Sequence, residues 1–386
     1  MRPALLPAPI PETIAELHPD LPDHIFTPAF KTACLILDRF VGALAVEIAR
    51  DLGLEAGTTH SLDSLLAQRK WSDAGRPALR WLFETLTLYG HATPTADGWQ
   101  LESLSLPTPS AAIESEALAS CPHAAPAYEV LRIAAAALPA VLAGTSRGED
   151  ALFGAHTLSL WFSYFSNENP HYAPANAICA TAVARAVPRA ARLLEVGGGG
   201  GSAGLAIAQE LAARGKPPAF YLFTELQPAF LRRGARLLQP ILGEHGTFVA
   251  KTYDINQDPG GLGIEEESLD AVVAVNTLHL ASDLVLTLHR LSRLLRPGGA
   301  LVLGEVMRPE HTGTVHLELP FALLDSYARV QLDENLRPRP GFLTVRQWQR
   351  ALEGAGLHEI TVLPAAIQRC AELYPGFYAG AVMGRR

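Results

Sequence analysis

His279 and Glu305 each close a run of apolar residues, Asp270-Ala271-Val272-Val273-Ala274-Val275-Asn276-Thr277-Leu278-His279 and Ala300-Leu301-Val302-Leu303-Gly304-Glu305. Continuous apolar runs read as parallel strands buried on both faces. The histidine and the glutamate therefore end neighbouring strands on the edge where ligands bind. A histidine with an unperturbed pKa near ~6.5 suits removal of a proton from a carbon beside a carbonyl, or from a phenol. A carboxylate bonded to its other ring nitrogen orients it and stabilises the imidazolium. A second stretch, Leu193-Leu194-Glu195-Val196-Gly197-Gly198-Gly199-Gly200-Gly201-Ser202-Ala203-Gly204, runs from strand to glycine turn to helix. Such a turn lets a ligand approach the backbone, and the helix beyond it offers unpaired N–H groups.

These residues need a scaffold, and the chain from Arg192 onward supplies one. After the glycine corner, strands are expected at Phe220–Thr224, Phe248–Asp254, Leu269–Asn276 and Ala300–Glu305, the last fed by Arg296-Pro297-Gly298-Gly299. A helix over Thr344–Ala355 and strands near His358–Leu363 and Phe377–Met383 complete a doubly wound, mostly parallel, seven-stranded α/β sheet. Glu225 stands at the tip of the second strand, where an acid accepts both ribose hydroxyls. Asp254 and Ile255 stand where an adenine would sit, and Asn276 marks the end of the fourth strand. The corner alone leaves the cofactor open, because Gly199-Gly200-Gly201-Ser202-Ala203-Gly204 also fits the dinucleotide pattern G-x-G-x-x-G.

The first 127 residues read as a mainly helical, winged-helix-type domain for dimerisation. Helices are expected at Phe30–Leu52, Leu62–Gln68 behind the N-cap Ser61, and Arg76–Tyr89. A hairpin over His91–Leu101 turns at Asp97-Gly98. Residues 1–25 form a proline-rich arm, and 102–127 a Ser/Pro/Ala-rich connection. The Phe30–Leu52 helix is apolar on two faces, which suits a homodimer seam. Residues 128–190 read as a helical connector and pocket wall, with Phe153, Trp161, Tyr164, Phe165 and Tyr172 as substrate-side aromatics beside Tyr327. Residues 191–386 form the cofactor domain.

Composition narrows the classes. The chain of 386 residues is 48% hydrophobic with a net charge of −8, a poor balance for nucleic-acid binding. The helix that would enter a DNA groove carries Arg76, Arg80 and Glu84 rather than a basic cluster. No apolar run reaches the length of a membrane span, and the proline-rich N-terminus does not resemble a signal peptide. Cys34, Cys121, Cys179 and Cys370 lie far apart, as expected of reduced thiols in a cytoplasmic protein. His311, His316 and Glu318 have no standard metal spacing, so no metal is expected.

Taken in order, Glu195-x-Gly197-x-Gly199-x-Gly201, Glu225-Leu226, Tyr253-Asp254-Ile255, Asn276–His279 and Leu295–Glu305 resemble a class I S-adenosylmethionine-dependent methyltransferase, over about the last 200 residues. Asn276-Thr277-Leu278-His279, the Pro-Gly-Gly turn, Phe321–Asp325 and Phe342–Trp348 are similar to the C-methyltransferase domains of polyketide synthases. That resemblance implies a His279/Glu305 catalytic dyad and a small-molecule acceptor, a carrier-bound acyl chain among the candidates. It also implies S-adenosylmethionine held by Glu195, Gly197, Gly199, Gly201, Glu225, Leu226, Asp254, Ile255 and Asn276. Where that family has paired tryptophans this chain has Ser326-Tyr327-Ala328. No ketosynthase or carrier domain is recognisable, which reads as a free-standing enzyme of specialised metabolism. The N-terminal arrangement resembles that of small-molecule O-methyltransferases, which keeps a hydroxyl acceptor open. A ligand-sensing winged-helix regulator and an NAD-dependent oxidoreductase are the readings from other classes.

Overall fold

A computed structural model describes residues 21, 25–310, 315–365, 367, 370 and 374–386; most of the expected arm and His311 lie outside them. The chain opens with α1, Pro28–Asp51, whose N-cap Thr27 accepts from Phe30 N at 3.1 Å. Strand β1 (Thr59–His60), α2 (Leu62–Arg69) and α3 (Arg76–Leu88) follow, then the hairpin β2 (Ala92–Thr95) and β3 (Gly98–Leu101), with β1 paired to β3. The hairpin turns at Ala96-Asp97, one residue earlier than expected, because Thr95 pairs with Gly98. A Cβ on Gly98 would lie 2.1 Å from His60 O, so the glycine is used inside β3 to admit β1.

The stretch read as a connection contains a helix, α4 (Ser110–Ser120). Its start is capped from outside, Ser110 N donating to Glu47 Oε1 of α1 at 2.8 Å. No local signal announces it, since Pro109 supplies no side-chain cap and only Ser110, Ile113 and Ala117 are buried. Helices α5 (Ala125–Leu142), α6 (Gly148–Leu152), α7 (Leu158–Tyr164) and α8 (Ala173–Ala186) lead to the sheet. The segment Pro122–Leu142 is long and apolar enough to cross a membrane by length and composition. Tyr128, Leu131, Ala134 and Leu138 on it pack into the N-terminal core. Both apolar faces of α1 are covered within the chain, Phe30 and Cys34 against the sheet side and Leu37, Phe40 and Leu44 in the N-terminal core. The two-faced pattern thus has an intramolecular cause.

The second half is β4 (Arg192–Val196), α9 (Ser202–Ala213), β5 (Phe220–Thr224), α10 (Pro228–Leu242), β6 (Thr247–Lys251), β7 (Leu269–Val275), α11 (Leu284–Ser292), β8 (Leu295–Val306), the short α12 (Glu318–Phe321) and α13 (Asp325–Ala328), α14 (Val345–Gly354), β9 (His358–Leu363) and β10 (Ala379–Arg385). The seven strands lie in the order β6-β5-β4-β7-β8-β10-β9, all parallel except β10 against β8 and β9. Alternation sorts the strand residues onto two faces. Leu193, Ala271, Val273 and Val302 pack with α8, α9 and α10; Leu194, Val272, Leu301 and Leu303 pack with α11 and α14. The strand order reverses beside β4, so the ends of β4 and β7 flank the crevice where such sheets bind ligands.

Candidate active site

The glycine corner is built around steric necessity at two points. Gly197 has φ +65°, and a Cβ there would lie 2.3 Å from Thr277 Cγ2. Thr277 Oγ1 donates to Gly197 O at 3.1 Å, which ties the β4 loop to the β7 loop. Gly199, φ +55°, faces open space with no atom within 4 Å of where a Cβ would stand. Its N–H donates to Glu225 Oε2 at 3.0 Å, and Glu225 Oε1 accepts from Gln227 N at 2.8 Å. Leu226 beside it is 49% exposed. Gly201 caps α9 against Gly234 of α10.

Glu195 lies beneath this loop rather than on its open side. Its Oε2 accepts from Tyr221 Oη at 2.8 Å, and the carboxyl also takes a bond from the Gly204 backbone. Burial at 1% exposure pushes its pKa up to about 8, against the lowering effect of those two bonds. The side chain props the loop from below. Asp254, half-buried past β6, accepts from Asn256 N at 2.9 Å and from Asn256 Nδ2 at 3.2 Å, and the half-buried Ile255 follows it. Asn276 adopts φ +49°, a left-handed conformation asparagine tolerates. Its N–H donates to Gly304 O at 2.7 Å and its Oδ1 accepts from Val306 N at 2.9 Å, locking the end of β7 to β8.

His279 sits in a single 3-10 turn, Leu278–Leu280, directly after β7. Its Nδ1 is 2.7 Å from Glu305 Oε2. The other oxygen of Glu305 accepts from Thr277 N at 3.1 Å and Leu278 N at 3.0 Å. The fully buried carboxylate thus bonds the turn and the imidazole it presents. A carboxylate in its ionised form can only accept, so it pairs with the tautomer that carries its proton on Nδ1. Nε2, on the far side of the ring, has no hydrogen-bond partner among the described residues. Phe342 packs on the ring at 4.6 Å.

The structure joins five of the six expected aromatics. Phe153, 41% exposed, stacks on the buried Trp161 at 4.7 Å. Trp161 contacts Tyr164 and Phe165, and both of these contact Tyr172. The Tyr172 hydroxyl bonds the Asn276 side chain, so this wall ends at the β7 loop. Tyr327 stands apart from those rings; its hydroxyl donates to Glu318 Oε1 at 3.0 Å, in a buried network with Arg308. Sequence reasoning passed over Arg337, 1% exposed, whose guanidinium donates to the carbonyls of His279 and Ala281. It also passed over Thr277 as the tie between loops. His316 is buried against Tyr378, with its pKa lowered to about 3 by burial. Among the described residues, no three His, Cys, Asp or Glu side chains form a metal-binding group.

A family match falls on the half of the chain that holds the site. Residues 194–301 match the family described as "Methyltransferase domain". The highly reducing polyketide synthase PKS2 of Leptosphaeria maculans is 31% identical over 175 residues, 45% of this chain and 6% of that protein. Polyketide synthase ThaQ of Burkholderia thailandensis is 30% identical over 241 residues, 60% of this chain and 11% of that protein. The chain therefore spans a small fraction of the length of these curated relatives. The CurJ carbon methyltransferase shares the fold with a TM-score of 0.74 at 21% identity, over 96% of this chain and 95% of that one. The DszA carbon methyltransferase does so with a TM-score of 0.70 at 20% identity, over 99% and 97%. Trans-methyltransferase CalH, solved in complex with SAH, has a TM-score of 0.59 at 19% identity, over 93% and 92%. The residues present fit an adenosyl cofactor: Gly199 opens onto free space, Glu225 crosses the loop tip, and Leu226 presents an exposed apolar face. Residues 194–301 thus match a methyltransferase domain, and the chain as a whole shares the fold of these carbon methyltransferase structures.

Proposed function

We propose that the protein methylates a carbon beside a carbonyl on a carrier-bound acyl chain, with His279 as general base and Glu305 as its partner. The observation that carries this reading is the 2.7 Å contact between His279 Nδ1 and a Glu305 carboxylate fully enclosed by protein donors. It leaves Nε2 as the lone-pair nitrogen. Nε2 takes a proton from the acceptor carbon, the electron pair stays on the acceptor as an enolate, and Glu305 stabilises the imidazolium. The cofactor supplies a methyl on a sulfonium, whose departure as a neutral thioether needs no acid. Gly197, Gly199 and Gly201 would carry its methionine part, Glu225 its ribose, and Leu226, Asp254 and Ile255 its adenine, with Asn276 closing the pocket. Relatives named as polyketide synthases and neighbours named as carbon methyltransferases support the choice of carbon over oxygen. On this reading residues 1–127 with 128–190 cover the acceptor, and the ring wall from Phe153 to Tyr172 lines its path.

The test is methyl transfer to a 3-oxoacyl N-acetylcysteamine thioester by His279→Ala and Glu305→Gln variants. Turnover should fall about 10²–10⁴-fold, while titration with S-adenosylhomocysteine matches the parent. Undiminished turnover would remove His279 from the base role. A methyl found on oxygen by NMR of the product would overturn the carbon assignment.

A further inference from the structure

The turn bearing His279 is bonded from two sides, and only one of them is the dyad itself. On one side Glu305 accepts from the N–H groups of Thr277 and Leu278. On the other Arg337 donates through Nη1 to Ala281 O at 2.6 Å and through Nη2 to His279 O. Five residues, 277–281, are therefore bracketed by an anion at their N–H groups and a cation at their carbonyls. Arg337 is 1% exposed and no carboxylate lies within ion-pair distance of it among the described residues. Its Nε is buried without a partner. Its charge is met by the two carbonyls and, at longer range, by Glu305, so the groups it holds are those of the His279 turn. The segment that carries Arg337 is itself preorganised. Asp333 Oδ1 accepts from Asn335 N and Leu336 N at 2.9 and 2.8 Å, and Asp333 and Arg337 exchange backbone bonds of 3.0 and 2.8 Å.

We propose that Arg337 is a positioning residue for the general base, holding the His279 turn against Glu305 so that Nε2 keeps one direction toward the acceptor. This rests on the reading of His279 as the base. Misplacement of a catalytic group by an ångström costs on the order of 10²-fold in rate, and without Arg337 the turn keeps Glu305 and the Thr277–Gly197 bond but loses the tie on its His279 and Ala281 carbonyls. Arg337 also adds a positive charge near Glu305. The other titratable groups around Glu305 are Tyr172 and Cys179, both with pKa values raised by burial and so neutral at pH 7, and the buried Tyr327 and Arg308, the latter paired with Glu318, lie near Arg337.

The experiment compares Arg337→Ala and Arg337→Lys with the parent, using the same thioester. Arg337→Ala should lower kcat about 10²-fold, with KM and S-adenosylhomocysteine affinity within about twofold. Added guanidinium chloride at non-denaturing concentration should restore part of kcat to Arg337→Ala and none to His279→Ala. Arg337→Lys keeps the charge but not the two-pronged geometry, so it should also lose kcat; it decides the matter if Arg337→Ala fails to fold. Unchanged kcat in both variants overturns the proposal, as does a loss that tracks cofactor affinity or a lack of guanidinium rescue. The double variant His279→Ala/Arg337→Ala should be no slower than His279→Ala. If His279→Ala is itself fully active, the base assignment fails; if only His279→Ala is inactive, the inference about Arg337 fails alone.

Discussion

Glu195 offers a sharp test of how the glycine corner is supported. Its carboxyl is 1% exposed, accepts from Tyr221 Oη at 2.8 Å, and has one oxygen without a partner. Burial raises its pKa from 4.5 to about 8. A group whose folded pKa is raised stabilises the fold in full below its unfolded pKa and loses that contribution as pH rises through the folded value. At ~1.4 kcal/mol per pKa unit, ionisation of this one group should cost roughly 4 kcal/mol of stability between pH 5 and pH 9. Glu195→Gln removes the titration while keeping an oxygen that can accept from Tyr221. Urea unfolding of parent and variant at pH 5, 7 and 9 measures the difference directly. The variant should match or trail the parent at pH 5 and exceed it increasingly toward pH 9. Its S-adenosylhomocysteine affinity should change little, because the carboxyl lies under the loop. Parallel stability curves for the two proteins would show that Glu195 does not titrate in this range. A large loss of cofactor affinity would place the carboxyl on the ligand instead.

Gly197→Ala should cost about 2–4 kcal/mol in chemical unfolding, summing a left-handed alanine and the contact with Thr277. Thr277→Ser in the same chain removes Cγ2 but keeps Oγ1, which would lie 2.6 Å from the new Cβ, so it should recover only part of the steric share; full recovery would mean that backbone strain is negligible. Glu84 of α3 pairs with Arg339 at 2.8 Å through both carboxylate oxygens, yet burial raises its pKa more than Arg339 lowers it. Glu84→Leu alone should therefore destabilise by about 2–3 kcal/mol, while Glu84→Leu with Arg339→Met should return to within ~1 kcal/mol of the parent. Additive losses in unfolding experiments would contradict this.

The residues legible in the sequence share a common cause. Glu225, Asn276, His279 and Glu305 each follow an apolar strand, and the order of strands in a doubly wound sheet brings those ends to one edge. Period and order were enough to predict that His279 and Glu305 could meet. The distance, and the fact that Glu305 also holds the turn through Thr277 and Leu278, depend on packing and were not. The start of α4 was hidden because its cap, Glu47, lies 63 residues away. Glu195 looked like its neighbours in a glycine motif, but strand alternation turns its side chain inward toward Tyr221.

Arg337 was hidden for a deeper reason. Leu336-Arg337-Pro338-Arg339-Pro340 has no hydrophobic period that marks an element or a buried side chain. In the structure its two arginines serve different neighbours, Arg337 the carbonyls behind His279 and Arg339 the carboxylate of Glu84 in the N-terminal helices. Trp81 of α3 also donates to Val315 O at 2.9 Å, and Leu319, Ala322, Leu323 and Tyr327 are buried in the N-terminal core. The segment from Val315 to Phe342 thus packs against the N-terminal helices at one end and against His279 at the other, where Phe342 meets the imidazole. A loop that must satisfy two elements far apart in sequence is selected for contacts rather than for a repeating pattern. Its residues become interpretable only after both partners are in place.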